Sequence, residues 1–100
     1  MTERIKTQES INNFKETQFL VNNEPVMEIA LEVLTILTNA NEIRIKGKGE
    51  TCPNAVAVAN IITENMLKGK SKIVKVIVDS EIIDNGYMIS TIDIILKKIN

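Results

Sequence analysis

The C-terminal third of the chain holds two long segments of alternating apolar and polar residues, joined by the turn segment 84–86, Asp-Asn-Gly. Asn-Gly between alternating segments is a strong short-range indication of a β-hairpin. Residues 72–84 and 87–98 are therefore predicted to form two antiparallel strands. The apolar residues of each strand lie mainly on one face of the hairpin, but Ile77 and Ile95 make the other face partly apolar too. We therefore expect part of this hairpin to meet a helix on one side and a partner on the other.

Two helices are predicted before the hairpin, and each opens with a proline. Proline suits the first helical position because the N–H that it lacks has no partner there. The first helix runs from Pro25 to about Asn39, and its single narrow polar stripe predicts burial on most sides. The second helix runs from Pro53 to about Leu67, and Gly69 is expected to end it.

Short strands precede both helices. Residues 17–21 form the first, and residues 42–47 (Glu-Ile-Arg-Ile-Lys-Gly) alternate as in a half-exposed strand. The predicted order is β-α-β-α-β-β. Helix-linked strands favour parallel pairing, whereas a hairpin is antiparallel. The predicted fold is therefore an α/β (α+β) domain with a four-stranded mixed sheet, two helices packed on it and a closing hairpin.

The domain organisation follows from the length of the chain and from its polar N-terminus. One hundred residues suffice for one small domain, whose core can be completed by dimerisation. Residues 1–16 contain too few apolar residues for a packed stripe, so we expect a mobile N-terminal extension before one domain over residues 17–100. An additional element that docks only in an oligomer is the alternative for this extension.

The charge balance excludes a strong long-range electrostatic field. The chain has 12 Lys and Arg against 13 Asp and Glu, so any attraction to nucleic acid has to come from local clusters. The single cysteine, Cys52, cannot form an internal disulfide, which fits a reducing cytoplasm. The sequence has neither a signal-peptide core nor a long apolar run, so we expect a soluble cytoplasmic protein without membrane contacts.

Catalytic and metal-binding chemistry has little support in the residue types. The chain has no histidine, so neither Cys52 nor a serine has the base that a nucleophilic site requires. Glu28 and Glu32 lie one helical turn apart on the polar stripe, where acidic pairs are ordinary surface residues. A metal site would lack histidine and have one thiol. We therefore predict a protein that is not an enzyme and carries no cofactor or metal.

The glycine-containing loop of residues 47–51 is the best candidate for an anion site. It presents backbone N–H groups at the start of a helix, next to Lys46 and Lys48. An ordinary strand-to-helix turn, with glycine for backbone freedom and lysine for solubility, explains the loop equally well. Glu50 in the same loop opposes strong phosphate binding.

Three segments of the sequence resemble the Alba family. They are Glu24-Pro25-Val26-Met27 at the start of a helix, the strand 42–46 followed by a glycine-containing loop, and the run 90–98 with Ser-Thr-Ile-Asp-Ile and Leu-Lys-Lys. The resemblance covers about residues 17–98, in order. It implies a dimeric, archaeal-type chromatin protein that binds double-stranded DNA, and often RNA, without strong sequence preference. Such binding neutralises phosphates and reads shape, not bases.

Most positions that are basic in this family are not basic here. The family has a lysine pair before the helix-opening proline, two arginines in the loop before the second helix, and often a base in the first turn of that helix. The corresponding residues are Asn23 and Glu24, Lys48 and Glu50, and Asn54. The predicted nucleic-acid contacts are therefore limited to Asn23, Lys46, Lys48 and Asn54.

Two functional hypotheses follow from this resemblance. Because every lost phosphate contact weakens the electrostatic part of binding, the first is a chromosome-associated protein with unusually weak affinity for DNA or RNA. The second is an Alba-type dimer that has lost nucleic-acid binding and serves as a protein-interaction or structural module.

The resemblance also implies a homodimer, and the sequence keeps the apolar character that an interface needs. The candidate interface residues lie in the second helix and the closing strands: Val58, Ile62, Ile77, Ile82, Ile89 and Ile95. For each of them, an ordinary core position is the alternative. Family members carry an aromatic residue near the end of the second helix that supports contacts between dimers. The corresponding residue here is Met66, a side chain that packs adaptably.

Overall fold

Two helices cover one face of a four-stranded sheet. The computed structural model describes residues 17–99. Its elements are β1 (Thr17–Leu20), α1 (Val26–Ala40), β2 (Glu42–Lys48), α2 (Cys52–Ile61), β3 (Ser71–Ile82) and β4 (Met88–Lys98). A 3₁₀ turn (Gly49–Thr51) leads into α2, and a π-helical turn (Ile62–Met66) continues it. The predicted order and fold class are confirmed, while the predicted extension of residues 1–16 lies outside the described residues.

The last strand lies inside the sheet, because the strand order is β1-β2-β4-β3. The strands β1 and β2, which α1 connects, are parallel, and β4 is antiparallel to both of its neighbours. The sheet is therefore mixed, as predicted. Helix α2 connects β2 to β3 at the far edge of the sheet. The hairpin then places β4 between β3 and β2.

The core lies between the sheet and the helices and is aliphatic. Strand pairing puts Ile43 opposite Leu96 and Ile45 opposite Ile94, and all four side chains are buried. They meet fully buried residues of the two helices and of the π-helical turn: Ile29, Val33, Leu37, Val58 and Ile62. Burying one such side chain stabilises the folded state by about 1.5–3 kcal/mol, so this layer holds the domain together.

Helix α1 differs from its prediction in two respects. Pro25 is the N-cap rather than the first helical residue, and its carbonyl accepts hydrogen bonds from the Glu28 and Ile29 N–H groups at 3.0 and 3.2 Å. The prediction of burial on most sides is wrong, because Met27 and Leu31 are more than half exposed. A helix in a two-layer domain packs one face on the sheet, and the opposite face has no further layer to cover it.

The hairpin turn is confirmed. At the turn, β3 ends at Ile82 and β4 begins at Met88, so each strand is shorter there than predicted. The Ile83 N–H donates to the Tyr87 carbonyl at 2.8 Å, and the Gly86 N–H donates to the Ile83 carbonyl at 2.9 Å. These bonds close a three-residue loop whose last residue, Gly86, has φ of 81°, a conformation that glycine adopts without steric cost.

A β-bulge at Val74 decides which face each residue of β3 occupies. The pairing passes from Ile73 opposite Leu96 to Lys75 opposite Ile95, which leaves Val74 as the extra residue. Beyond the bulge, Val76 and Val78 lie on the helix-covered side of the sheet. Lys75 and its alternate neighbours lie on the other side, which we call the second face.

Candidate nucleic-acid interface

Three positive side chains follow one another along β2 on the second face of the sheet. Arg44, Lys46 and Lys48 alternate with residues that are buried towards the helices. Alternate residues of a strand are about 6.7 Å apart along it. The strand therefore presents a row of cations that leads directly into the turn before α2.

Asp93 lies between the first two cations of this row and offsets one of their two positive charges. It lies opposite Lys46 in the pairing of β2 with β4. Its Oδ1 is 3.6 Å from Lys46 Nζ, and its Oδ2 is 3.4 Å from Arg44 NH1. Oδ1 is buried and accepts no hydrogen bond, so the ion pair with Lys46 balances its charge. The side chain of Asp93 is only 13% exposed, so its carboxylate is largely shielded from solvent.

Lys48 is held at both its backbone and its side chain. The Thr51 hydroxyl accepts a hydrogen bond from the Lys48 N–H at 2.9 Å and donates one to the Lys48 carbonyl at 2.8 Å. Lys48 Nζ is 3.5 Å from Glu81 Oε1 on β3, and the two side chains are 41% and 43% exposed. Both predicted phosphate-binding lysines thus already contact a carboxylate within the chain.

The loop before α2 packs tightly against the end of β2. A Cβ added at Gly47 would lie 2.9 Å from the Thr51 carbonyl oxygen and 3.1 Å from the Ala55 Cβ. The Cys52 Sγ also approaches the Ser90 carbonyl oxygen at 3.5 Å, which connects the start of α2 to β4. The loop is therefore held in place from two sides, as a binding loop with a fixed shape requires.

Gly47→Ala is expected to destabilise the protein by about 1–3 kcal/mol, because the added methyl group meets backbone atoms that must move. The free energy of unfolding in urea measures this loss. Gly49→Asn is the control: Gly49 has φ of +55° with open space around its Cβ, and asparagine tolerates that conformation. Equal stability of Gly47→Ala and the unmodified protein would contradict the close packing of this loop.

The corner between β1 and α1 carries no positive charge. Residues 17–25 contain neither lysine nor arginine, and Asn23 and Glu24 are exposed. The Asn22 side chain accepts a hydrogen bond from the Glu24 N–H at 2.9 Å. The Val21 N–H donates to the Lys46 carbonyl at 2.9 Å, so the corner leaves the sheet beside Lys46. The predicted contact Asn54 is half-buried in the first turn of α2.

The six residues predicted for a dimer interface fall into different parts of the fold. Val58 and Ile62 are fully buried in the core, and a side chain without accessible surface cannot meet a partner, so these two fit the alternative of ordinary core positions. Ile95 is 7% exposed on the second face, and its place in an interface stays a prediction. Ile77 and Ile89 are partly accessible on the second face, whereas Ile82 is exposed on the helix-covered side.

Sequence reasoning named only Ile82 from an exposed apolar surface on the hairpin. Val76, Val78, Ile82 and Met88 lie on the helix-covered side of β3 and β4, which we call the arm surface. Val78 and Ile82 are 71% and 72% exposed. Alternation along β3 groups these residues, but it does not reveal that the helices fail to cover them. Met66, predicted to contact a second dimer, is half-buried against the core, and that role stays a prediction.

Two further findings concern residues 17–99. No three His, Cys, Asp or Glu side chains in this part of the chain are grouped closely enough to hold a metal ion. Among its helices, none combines the length and the apolar character needed to cross a membrane.

Comparisons with known proteins agree with this architecture. The sequence model of the Alba family matches residues 17–80. The structure of Alba from Thermoplasma volcanium superposes with a TM-score of 0.72 at 32% sequence identity, covering 81% of this chain and 99% of that protein. ALBA1 from Trypanosoma brucei superposes with a TM-score of 0.69 at 12% identity, covering 88% of this chain and 74% of that protein. The second likeness concerns the fold alone.

Proposed function

The chain belongs to the Alba family, and we propose that it binds the phosphate backbone of double-stranded DNA or RNA as a homodimer, weakly and without reading sequence. Family membership supports nucleic-acid binding in general. We propose a binding protein and not an enzyme, located in the cytoplasm and on the chromosome where it binds nucleic acid.

The observation that carries the proposal of weak binding is the pairing of the two predicted contact lysines. Lys46 lies against Asp93 and Lys48 against Glu81, at 3.6 and 3.5 Å. A phosphate that approaches either lysine also approaches a carboxylate. Since six to ten free phosphate contacts are worth about three to five decades of affinity between low and moderate salt, a surface with few lysines, both of them shared with carboxylates, has a smaller electrostatic term.

The surroundings of these lysines add negative charge. Besides Glu81 and Asp93, residues 76–96 contain two further acids, Asp79 and Asp84, and no lysine or arginine. Glu24 adds an exposed acid at the corner beside Lys46. Since phosphate contacts supply nearly all of sequence-independent binding, these charges favour a low affinity at physiological salt.

The homodimer is supported by the arm surface. Exposed apolar patches often mark an interface. The arm surface is apolar in two parts, with the paired Ser80 and Ser90 between them. Because β3 is also an edge strand of the sheet, its unpaired backbone groups favour association with another chain. A second copy of this chain that brings its own arm surface would bury both patches in a symmetric contact.

The acidic hairpin also favours a second candidate, a protein-interaction module. With the arm surface buried in the dimer, Asp79 and Glu81 remain on the second face of β3, where they suit a partner with basic residues better than a phosphate backbone. In this case the fold and the dimer are retained and nucleic-acid binding is absent.

Titrations with duplex DNA, single-stranded DNA and structured RNA test the proposed function. At about 150 mM salt we expect dissociation constants of about 10 μM or weaker, in the weaker half of the range of non-specific binding. Fluorescence anisotropy at several salt concentrations gives both the affinity and the salt slope. Nanomolar binding at this salt concentration would contradict the weak-binding proposal, and no binding even at low salt would favour the interaction module.

A further inference from the structure

The ion pair between Lys48 and Glu81 crosses the sheet. Lys48 ends β2 and Glu81 lies near the end of β3, while β4 runs between these two strands. Thr91, which pairs with Lys48, lies opposite Asp79 on β3, and Glu81 is two residues further towards the turn. The side chains therefore bridge roughly 12 Å diagonally above β4. The pair connects the loop before α2 to the turn end of the hairpin.

This pair is exposed and weak as a contact. Its atoms are 3.5 Å apart, at the long limit of a hydrogen bond, and both side chains are about two fifths exposed. Exposed ion pairs of this kind contribute little to folding. Lys48 keeps its position without Glu81, because the two hydrogen bonds of Thr51 hold its backbone.

We propose that Glu81 is an affinity-determining residue of the nucleic-acid surface, because it occupies Lys48 in the free protein and competes there with a phosphate group. This inference rests on the proposed function. The Lys48 ammonium group donates equally well to a carboxylate and to a phosphate oxygen. A bound phosphate has to displace Glu81 Oε1 and then lies close to the displaced negative charge.

Glu81 differs in this respect from Asp84. Asp84 lies three residues further along the chain and is exposed in the loop, and no described residue forms an ion pair or side-chain hydrogen bond with it. Glu81→Gln and Asp84→Asn each remove one negative charge from the hairpin. Only the first change also releases a cation from its partner.

The experiment uses a variant with Asn23→Lys and Glu24→Lys as the starting protein, so that binding is strong enough to measure. Glu81→Gln and Asp84→Asn are added to it separately, and a random-sequence DNA duplex is titrated at about 50 mM salt. We expect Glu81→Gln to tighten binding about two- to fivefold more than Asp84→Asn, as displacement of an exposed ion pair of ordinary strength predicts. Thermal unfolding of each variant checks that the fold is retained.

A second pair of variants isolates Lys48. In a background with Lys48→Gln, Glu81→Gln and Asp84→Asn are expected to tighten binding equally, because no cation remains for Glu81 to occupy. Equal gains in the presence of Lys48, or a difference that persists without it, would overturn the inference while the proposed function stands. If neither the unmodified protein nor the starting variant binds duplex DNA or structured RNA, the proposed function is contradicted, and the inference with it.

Discussion

Changing Asn23 and Glu24 to lysine and Glu50 to arginine is expected to tighten duplex DNA binding at least about a hundredfold at low salt. The three changes remove two acids and add three bases, which takes the formal net charge of a protomer from −1 to +4. In a homodimer this adds six possible phosphate contacts. Each contact adds about 0.9 to the salt slope, so we also expect a slope that is steeper by about five.

We expect binding to depend on the position of these charges and not on the total charge. Glu28→Lys, Glu32→Lys and Asn39→Lys make a control protein with the same net charge, since all three residues lie on the exposed side of α1. Affinities and salt slopes of the two proteins are compared by fluorescence anisotropy. Binding that improves equally in both proteins, or in neither, would show that the corner and the loop before α2 do not form the contact surface.

Changing Val78 and Ile82 to lysine is expected to raise the dissociation constant of the homodimer at least about a thousandfold. Burying one apolar side chain of this size is worth about 1.5–3 kcal/mol, and a symmetric dimer loses two such side chains from each protomer. Both residues are more than two thirds exposed in the protomer, so the change does not create a cavity in its core. Sedimentation equilibrium over a range of protein concentrations measures the dissociation constant.

Met27→Lys and Leu31→Lys provide the matched control, because they also replace two exposed apolar side chains by lysine, on α1. We expect this protein to dimerise like the unmodified chain. Circular dichroism establishes that both variants remain folded. A dimer that survives Val78→Lys and Ile82→Lys with its affinity unchanged would exclude the arm surface as the interface.

Local signals predicted most of the fold. Pro25 and Pro53 marked the helix starts to within a residue, and the alternation around Ile43 and Ile45 gave β2 with the correct face towards the core. These features depend on residues close together in the chain, where the period of apolar residues and the preferences of proline and glycine determine the backbone. The buried part of α1 was overestimated, because the period of apolar residues does not show how many layers a domain has.

The candidate site was predictable only in part. The sequence indicated that Lys46 and Lys48 flank a glycine-containing loop and that the corner lacks positive charge. It did not indicate that either lysine has a partner. The interface prediction was limited in the same way, because apolar periodicity in a hairpin does not distinguish Ile95, which is buried, from Ile82, which is exposed.

The sequence by itself determined the element order, the aliphatic core and the missing charges at Asn23 and Glu24. Only the tertiary structure decided which charges cancel one another and which apolar side chains remain uncovered. Lys48 and Glu81 are 33 residues apart in the chain, and they meet because β4 inserts between β2 and β3. The Val74 bulge likewise places Val78 and Ile82 on the helix-covered side of the sheet, at positions that the helices leave exposed. Ion pairs and surface patches depend on strand order and register, which long-range packing sets.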